Sequence, residues 1–207
     1  MFLSALMLTV TAHAQKREFR GAWIQCVNGQ FQGVGTKNMQ STLTYQLDEL
    51  KKDGVNVSIF QVRPECDALY ASKIEPWSRF LTGQQGVAPS PYWDPLEWMI
   101  NECHKRGMEL HAWINPYRAK TKGTRQLAQK HISVQKPMNC FAYDGQFILN
   151  PGIPENRDYI CEVVRDIVRR YDVDGLHMDG YFYPYPVKGE SIPDDELFHD
   201  HPKGIRD

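Results

Sequence analysis

Charge of one sign is what this chain most plainly lacks: among its 207 residues, 24 Lys+Arg face 25 Asp+Glu, for a formal net charge of −1. It therefore has no global basic field with which to hold nucleic acid or an anionic membrane surface. No C-x-x-C pair occurs among Cys26, Cys66, Cys103, Cys140 and Cys161, so zinc-ligand spacing is absent and no metal is expected. No G-x-G-x-x-G follows any strand-like segment, which removes the main signature of a dinucleotide fold, and no cofactor is expected. Past the amino terminus no apolar run is long enough to span a bilayer. What remains is an ordinary globular composition, 42% hydrophobic and 24% charged, at a length that suits one domain with long loops.

The first fourteen residues, MFLSALMLTVTAHA, form an apolar run that closes on Ala12-His13-Ala14, the small-x-small pattern read by signal peptidase. They are expected to be a secretory signal, leaving 15–207 as the mature domain, secreted or periplasmic. No basic residue precedes the run, which points to a start codon further upstream. Export exposes the five cysteines to an oxidising compartment, where pairing is open to them but the odd number leaves at least one free. Cys103 and Cys161 fall on the apolar faces of expected helices and are expected to be buried thiols.

Strand and helix then alternate. EFRGAWIQC (18–26) is β-compatible, and Met39, Leu43, Leu47 and Leu50 step by three and four as in an amphipathic helix closed by Gly54. VNVSIFQVRP (55–64) is a second strand. Asp94-Pro95-Leu96-Glu97 reads as a cap, a first-turn proline and a capping acid, opening a helix that Gly107 ends. MELHAWINPYR (108–118) is a third strand, Tyr159 to Val168 a third long helix, and VDGLHMD (173–179) a fourth strand. Helix-to-strand links are expected to be one or two residues, whereas strand-to-helix links are far longer than the usual 2 to 6 or so. In a parallel α/β sheet those long loops gather at the carboxyl ends of the strands, where barrels and doubly wound sheets place their sites. The fold class expected is α/β, a (β/α)8 TIM-barrel type with only the first four βα units present, because a whole barrel takes about 250 residues. The chain is thus expected to be part of a longer reading frame.

Alternation along the fourth strand puts His177 and Asp179 on one face and Leu176 and Met178, packed on helices, on the other. The same test groups His111, Trp113 and Asn115, and likewise Gln61 and Arg63. A polar interior of this kind is costly as packing alone, since a buried polar group without a partner costs about 1 to 3 kcal/mol. Tyr70, Trp77, Tyr92, Trp93, Tyr117, Tyr181, Phe182 and Tyr183 add aromatics at the loop end. Sugars, with flat C–H faces and a rim of hydroxyls, suit aromatic platforms edged by Arg, Asn and Asp. The tail DDELFHDH (194–201) reads as a solvated acidic segment rather than a metal site.

The ordered blocks FRGAWI, FQVRPECDALY, EPWSRFLTGQQG, WDPLEWMINECHKRGMELHAWINPYR, ILNPGIPENRDYI and YDVDGLHMDGYFYP resemble the glycosyl-hydrolase-like family 10, which is distinct from the family 10 xylanases. That resemblance implies a TIM barrel related to amylase-type glycosidases, exported in bacteria, with some members acting on peptidoglycan glycan strands stripped of peptides. Asp174 to Asp179 is similar to the amylase-type pattern D-G-F-R-x-D, whose last Asp is the nucleophile. Asp179 takes that role, and His177 the place of the guiding Arg. Arg63, Asp67, Tyr70, Trp77, Trp113, Asn115, Tyr117, Arg118, Tyr181 and Tyr183 are then expected to bind a polysaccharide or oligosaccharide. Glycosidase chemistry needs a second carboxyl as general acid, and in amylase-like barrels it comes from the strand after the fourth. The family usually reads HFDDYFYP, and Gly180 stands here in place of its second Asp. Two alternatives stay open: a carbohydrate-binding barrel fragment without turnover, and a metal-dependent deacetylase using His111, His177 and Asp179.

Overall fold

The computed structural model describes residues 18–180, 184–193 and 199. The expected secretory signal, Tyr181 to Tyr183 and most of the acidic tail lie outside the described residues. In chain order the elements are β1 (Gly21–Ile24), α1 (Thr36–Lys52), β2 (Val57–Arg63), α2 (Arg79–Thr82), α3 (Pro95–Lys105), β3 (Glu109–Ile114), β4 (Arg118–Lys120), α4 (Ile132–Gln135), β5 (Cys140–Tyr143), β6 (Gln146–Leu149), α5 (Pro154–Arg170) and β7 (Gly175–His177). Strands β1, β2, β3 and β7 form one sheet in that order, every pair parallel. Each expected strand and long helix is present. The helix-to-strand links, 53–56, 106–108 and 171–174, are slightly longer than expected.

The helices form where the sequence gives them a stripe and a start. Met39, Leu43 and Leu47 of α1 are buried one turn apart, and Gly54, at φ +81°, ends the helix in a conformation glycine tolerates best. Asp94 caps α3, its Oδ1 accepting from the Leu96 and Glu97 amides at 3.1 and 3.3 Å. Its Oδ2 accepts from the Tyr171 hydroxyl at 2.6 Å, tying the cap to the turn that enters β7. On the sheet, Ile24, Phe60, Val62, Leu110, Ala112 and Ile114 meet these helices in one core. Leu176 packs against it, but Met178 is exposed, contrary to the expectation that both lie on helices. Cys103 is buried as expected, whereas Cys161 is exposed on the outer side of α5; all five cysteines are free thiols. No helix among the described residues is long and apolar enough to cross a membrane.

The long link from β3 to α5 holds a second, antiparallel sheet in the order β4-β6-β5. Its hairpin turns on Asp144-Gly145, both at positive φ (48° and 72°), the dipeptide that a tight primed turn prefers. This small sheet and the link 64–94 both rise from the carboxyl ends of the parallel strands.

Candidate active site

Strand register stacks the inward side chains in layers. Trp23, Ile59, His111 and Gly175 lie at one level, and Gln61, Trp113 and His177 at the next toward the carboxyl ends. A Cβ on Gly175 would sit 2.8 Å from the His111 ring, so glycine here lets that ring lie across β7. Trp23 Nε1 donates to His177 Nε2 at 3.1 Å, and the Trp113 ring meets the His177 ring edge-on with centroids 6.2 Å apart. Accepting from Trp23 occupies the Nε2 lone pair, which leaves Nδ1 to carry the proton of the neutral ring. Asp179 follows two residues on, half-buried, just past the end of β7.

Around this point the expected site residues separate into two groups. His177, Asp179, Trp77, Tyr117 and Arg118 keep exposed surface. Arg63, Asp67, Tyr70 and Asn115 have none, and Trp113 is 8% exposed. Arg63 is held from every side: Glu75 accepts from its Nε and Nη2, the shortest contact being 2.6 Å, and the Asn115 and Pro116 carbonyls accept from Nη1 at 2.6 and 3.0 Å. Tyr159 donates to the same Glu75 carboxylate at 2.9 Å. Such a buried, ion-paired guanidinium braces the two long loops and has no exposed surface to offer a sugar. Tyr70 packs edge-on against Tyr171. Trp77 meets exposed Tyr92 edge-on at 6.1 Å, making an aromatic corner on the loop surface.

Glu65 and Asp67 share the buried floor beneath these loops. Glu65 accepts from the Thr121 amide at 2.7 Å, the Thr124 hydroxyl at 2.6 Å and Arg79 Nε at 3.3 Å. Asp67 accepts from the Glu65 amide at 3.1 Å and from Gln85 Nε2 at 2.9 Å. Burial, reinforced by the neighbouring Glu65 carboxylate, raises the Asp67 pKa to about 7. Cys26 bonds to Gln61 Oε1, and burial, with Asp67 nearby, pushes its thiol well up, so no thiolate nucleophile stands here.

Some members of this arrangement escaped sequence reasoning. Trp23 was within reach, because alternation along GAWI places it on the inward face. Glu75 and Gln85 were not, since they sit in a loop without a period. Among the described residues no group of three or more His, Cys, Asp or Glu is arranged to hold a metal; His111 instead bonds to Glu109 at 3.2 Å.

The model of the family described as glycosyl hydrolase-like 10 matches residues 18–204. The chain belongs to that family. It is 40% identical over 199 residues to glycosyl hydrolase YngK of Bacillus subtilis, covering 93% of this chain and 39% of that protein. It is 35% identical over 210 residues to glycosyl hydrolase DigH of Escherichia coli K12, covering 91% of this chain and 47% of that one. The chain thus spans less than half the length of either curated relative. Among solved structures, the chitobiase of Flavobacterium johnsoniae superposes with a TM-score of 0.54 at 14% identity, over 89% of this chain and 25% of that one. At that identity the likeness concerns the fold alone, and it agrees with four βα units of a TIM-barrel type.

Proposed function

We propose that this family member forms the first half of an exported bacterial glycoside hydrolase acting on a bacterial or dietary polysaccharide, peptide-free peptidoglycan glycan strands among them. The observation that carries the reading is the carboxyl end of the sheet, where Trp113 and Trp23 flank His177 and Asp179 follows just past the strand. Aromatic faces to seat a pyranose beside a half-exposed carboxylate suit attack on an anomeric carbon, or stabilisation of its oxocarbenium-like transition state.

Asp179 is assigned as that nucleophile or charge stabiliser. His177, neutral while its Nε2 accepts from Trp23, orients it rather than supplying the positive charge of a guiding arginine. The general acid that protonates the leaving oxygen is assigned to a strand following β7, in chain beyond Asp207. Trp77, Tyr117 and Arg118, together with Tyr181 and Tyr183, form the sugar subsites; Arg63, Asp67, Tyr70, Trp113 and Asn115 hold the walls behind them. Hydrolysis of peptide-free glycan strands and of α- and β-glucans by the product of the full reading frame and its Asp179→Asn variant tests this. Product formation that stops in the variant is expected, and undiminished hydrolysis contradicts the role of Asp179.

A second reading, glycan binding without turnover, is favoured by Gly180, where the family keeps an acid. It is favoured also by Glu65, Asp67 and Glu75, whose side chains are buried and engaged. Binding by the unaltered protein with no product would select it. The deacetylase reading finds no ligand cluster among His111, His177 and Asp179.

A further inference from the structure

We propose a second carbohydrate subsite that recognises a carboxylate borne on the sugar, in a cavity of about 610 Å³ between the turn after α2 and the segment 123–129; the proposal rests on the glycan-hydrolase reading above. Its volume lies in the range of small-molecule sites. It opens at the end of the sheet that carries Asp179, because both walls belong to strand-to-helix links.

The cavity is preformed. Gln85 bridges its two walls, Nε2 donating to buried Asp67 while Oε1 accepts from the Ala128 amide at 2.9 Å. Gly86, at φ +88°, allows the closest approach, since a Cβ there would come within 3.0 Å of the Ala128 methyl. The opposite corner is pinned by Glu65, which holds Thr121 and Thr124.

The lining is rich in amides and cations and contains no carboxylate. Gln84, Gln126 and Gln129 supply neutral donors and acceptors suited to hydroxyls. Of the two cations, Arg79 is occupied by Glu65, Thr124 and Gln32. Arg125 is exposed and makes no ion pair among the described residues, so its guanidinium is free for a ligand. Charge along the chain points the same way. From 118 to 143 the sequence carries Arg118, Lys120, Lys122, Arg125, Lys130 and Lys136 with no Asp or Glu, in a protein whose overall charge is nearly balanced. A guanidinium binds a carboxylate in a paired, planar fashion that a neutral sugar cannot match. Two sources carry that group on a pyranose, a lactyl ether as on peptide-free peptidoglycan strands and a uronic acid.

Equilibrium binding to the Asp179→Asn protein tests this, with ligand integrity followed by mass spectrometry. The probes are oligosaccharides from peptide-free peptidoglycan, oligogalacturonate, and each after reduction of its carboxyls to alcohols. Arg125→Ala is expected to weaken binding of at least one carboxylated probe on the order of tenfold, Arg125→Lys by less, and neither to alter binding of the reduced probes. Whichever carboxylated probe responds identifies the source. Equal affinity for carboxylated and reduced probes, indifference to Arg125→Ala, or no binding of either probe would overturn the proposal. The catalytic reading fails separately: Asp179→Asn protein that still consumes its ligand while binding it through Arg125 contradicts the role of Asp179 and leaves the subsite intact.

Discussion

The two faces of the parallel sheet are built from the same four strands and share almost nothing chemically. On the helix side, Ile24, Phe60, Ala112 and Leu176 interlock with Leu43, Leu47, Leu96 and Val163 in one apolar core. On the inward side, Trp23, Gln61, His111, Trp113 and His177 present rings and polar groups, and Trp23 remains 63% exposed. Gln61 Nε2 and Trp113 Nε1 are buried there without a hydrogen-bond partner. A face that leaves donors unpaired is poor at holding a fold together, at about 1 to 3 kcal/mol each. The difference assigns stability to the helix side and ligand chemistry to the inward side, with the buried carboxylates beneath the loops joining the two.

Breaking the joint between the faces is expected to have the largest effect. Arg63→Met leaves Glu75 buried without its cation and is expected to cost about 3 to 5 kcal/mol in urea unfolding, because Glu75 has no exposed surface. The helix side answers next: Leu47→Ala opens a cavity in the core and is expected to cost about 2 to 5 kcal/mol while leaving the kinetics of any folded protein unchanged.

How far each face was legible in the sequence follows from the same contrast. Met39, Leu43 and Leu47, and the β-branched run of β2, repeat with the periods of a helix and a strand, so the four parallel strands and three long helices could be placed. The helix-side residues of β7 were legible only in part, since Leu176 packs as alternation requires but Met178 does not. The antiparallel sheet between β3 and α5 was not read, because its strands are only three or four residues long. Yet Asp144-Gly145 was a usable hairpin signal. At the site, alternation brought His177 and Trp113 to one layer. It could not show that Arg63 and Asp67 are sealed beneath the loops, since their partners Glu75 and Gln85 lie 12 and 18 residues away in segments whose shape depends on tertiary contacts.

Asp67 supplies a pH-dependent probe of the buried floor. Its pKa in the folded protein, about 7, exceeds the usual carboxylate value of about 4, so the folded state favours the protonated form. The stability this contributes is full below pH ~4 and is lost as pH rises through about 7, with a slope of up to about 1.4 kcal/mol per pH unit between them. Asp67→Asn is expected to flatten that dependence in urea midpoints taken from pH 4 to pH 8; an unchanged profile would place the titration elsewhere. On the inward face the smallest stability effect is expected. Trp23→Phe removes the donor to His177 from a largely exposed ring and should shift stability by no more than about 0.5 kcal/mol. It is expected to lower kcat on glycan strands several-fold, since the His177 ring then loses the donor that fixes its orientation.

The division between the faces is tested most directly by measuring urea unfolding and glycan hydrolysis side by side for Asp179→Asn in the product of the full reading frame. Hydrolysis reduced on the order of 10³-fold or more, with an unfolding free energy within about 0.5 kcal/mol of the unaltered protein, is the predicted result. Loss of several kcal/mol of stability, or hydrolysis that persists, would contradict it and make Asp179 a brace of the barrel.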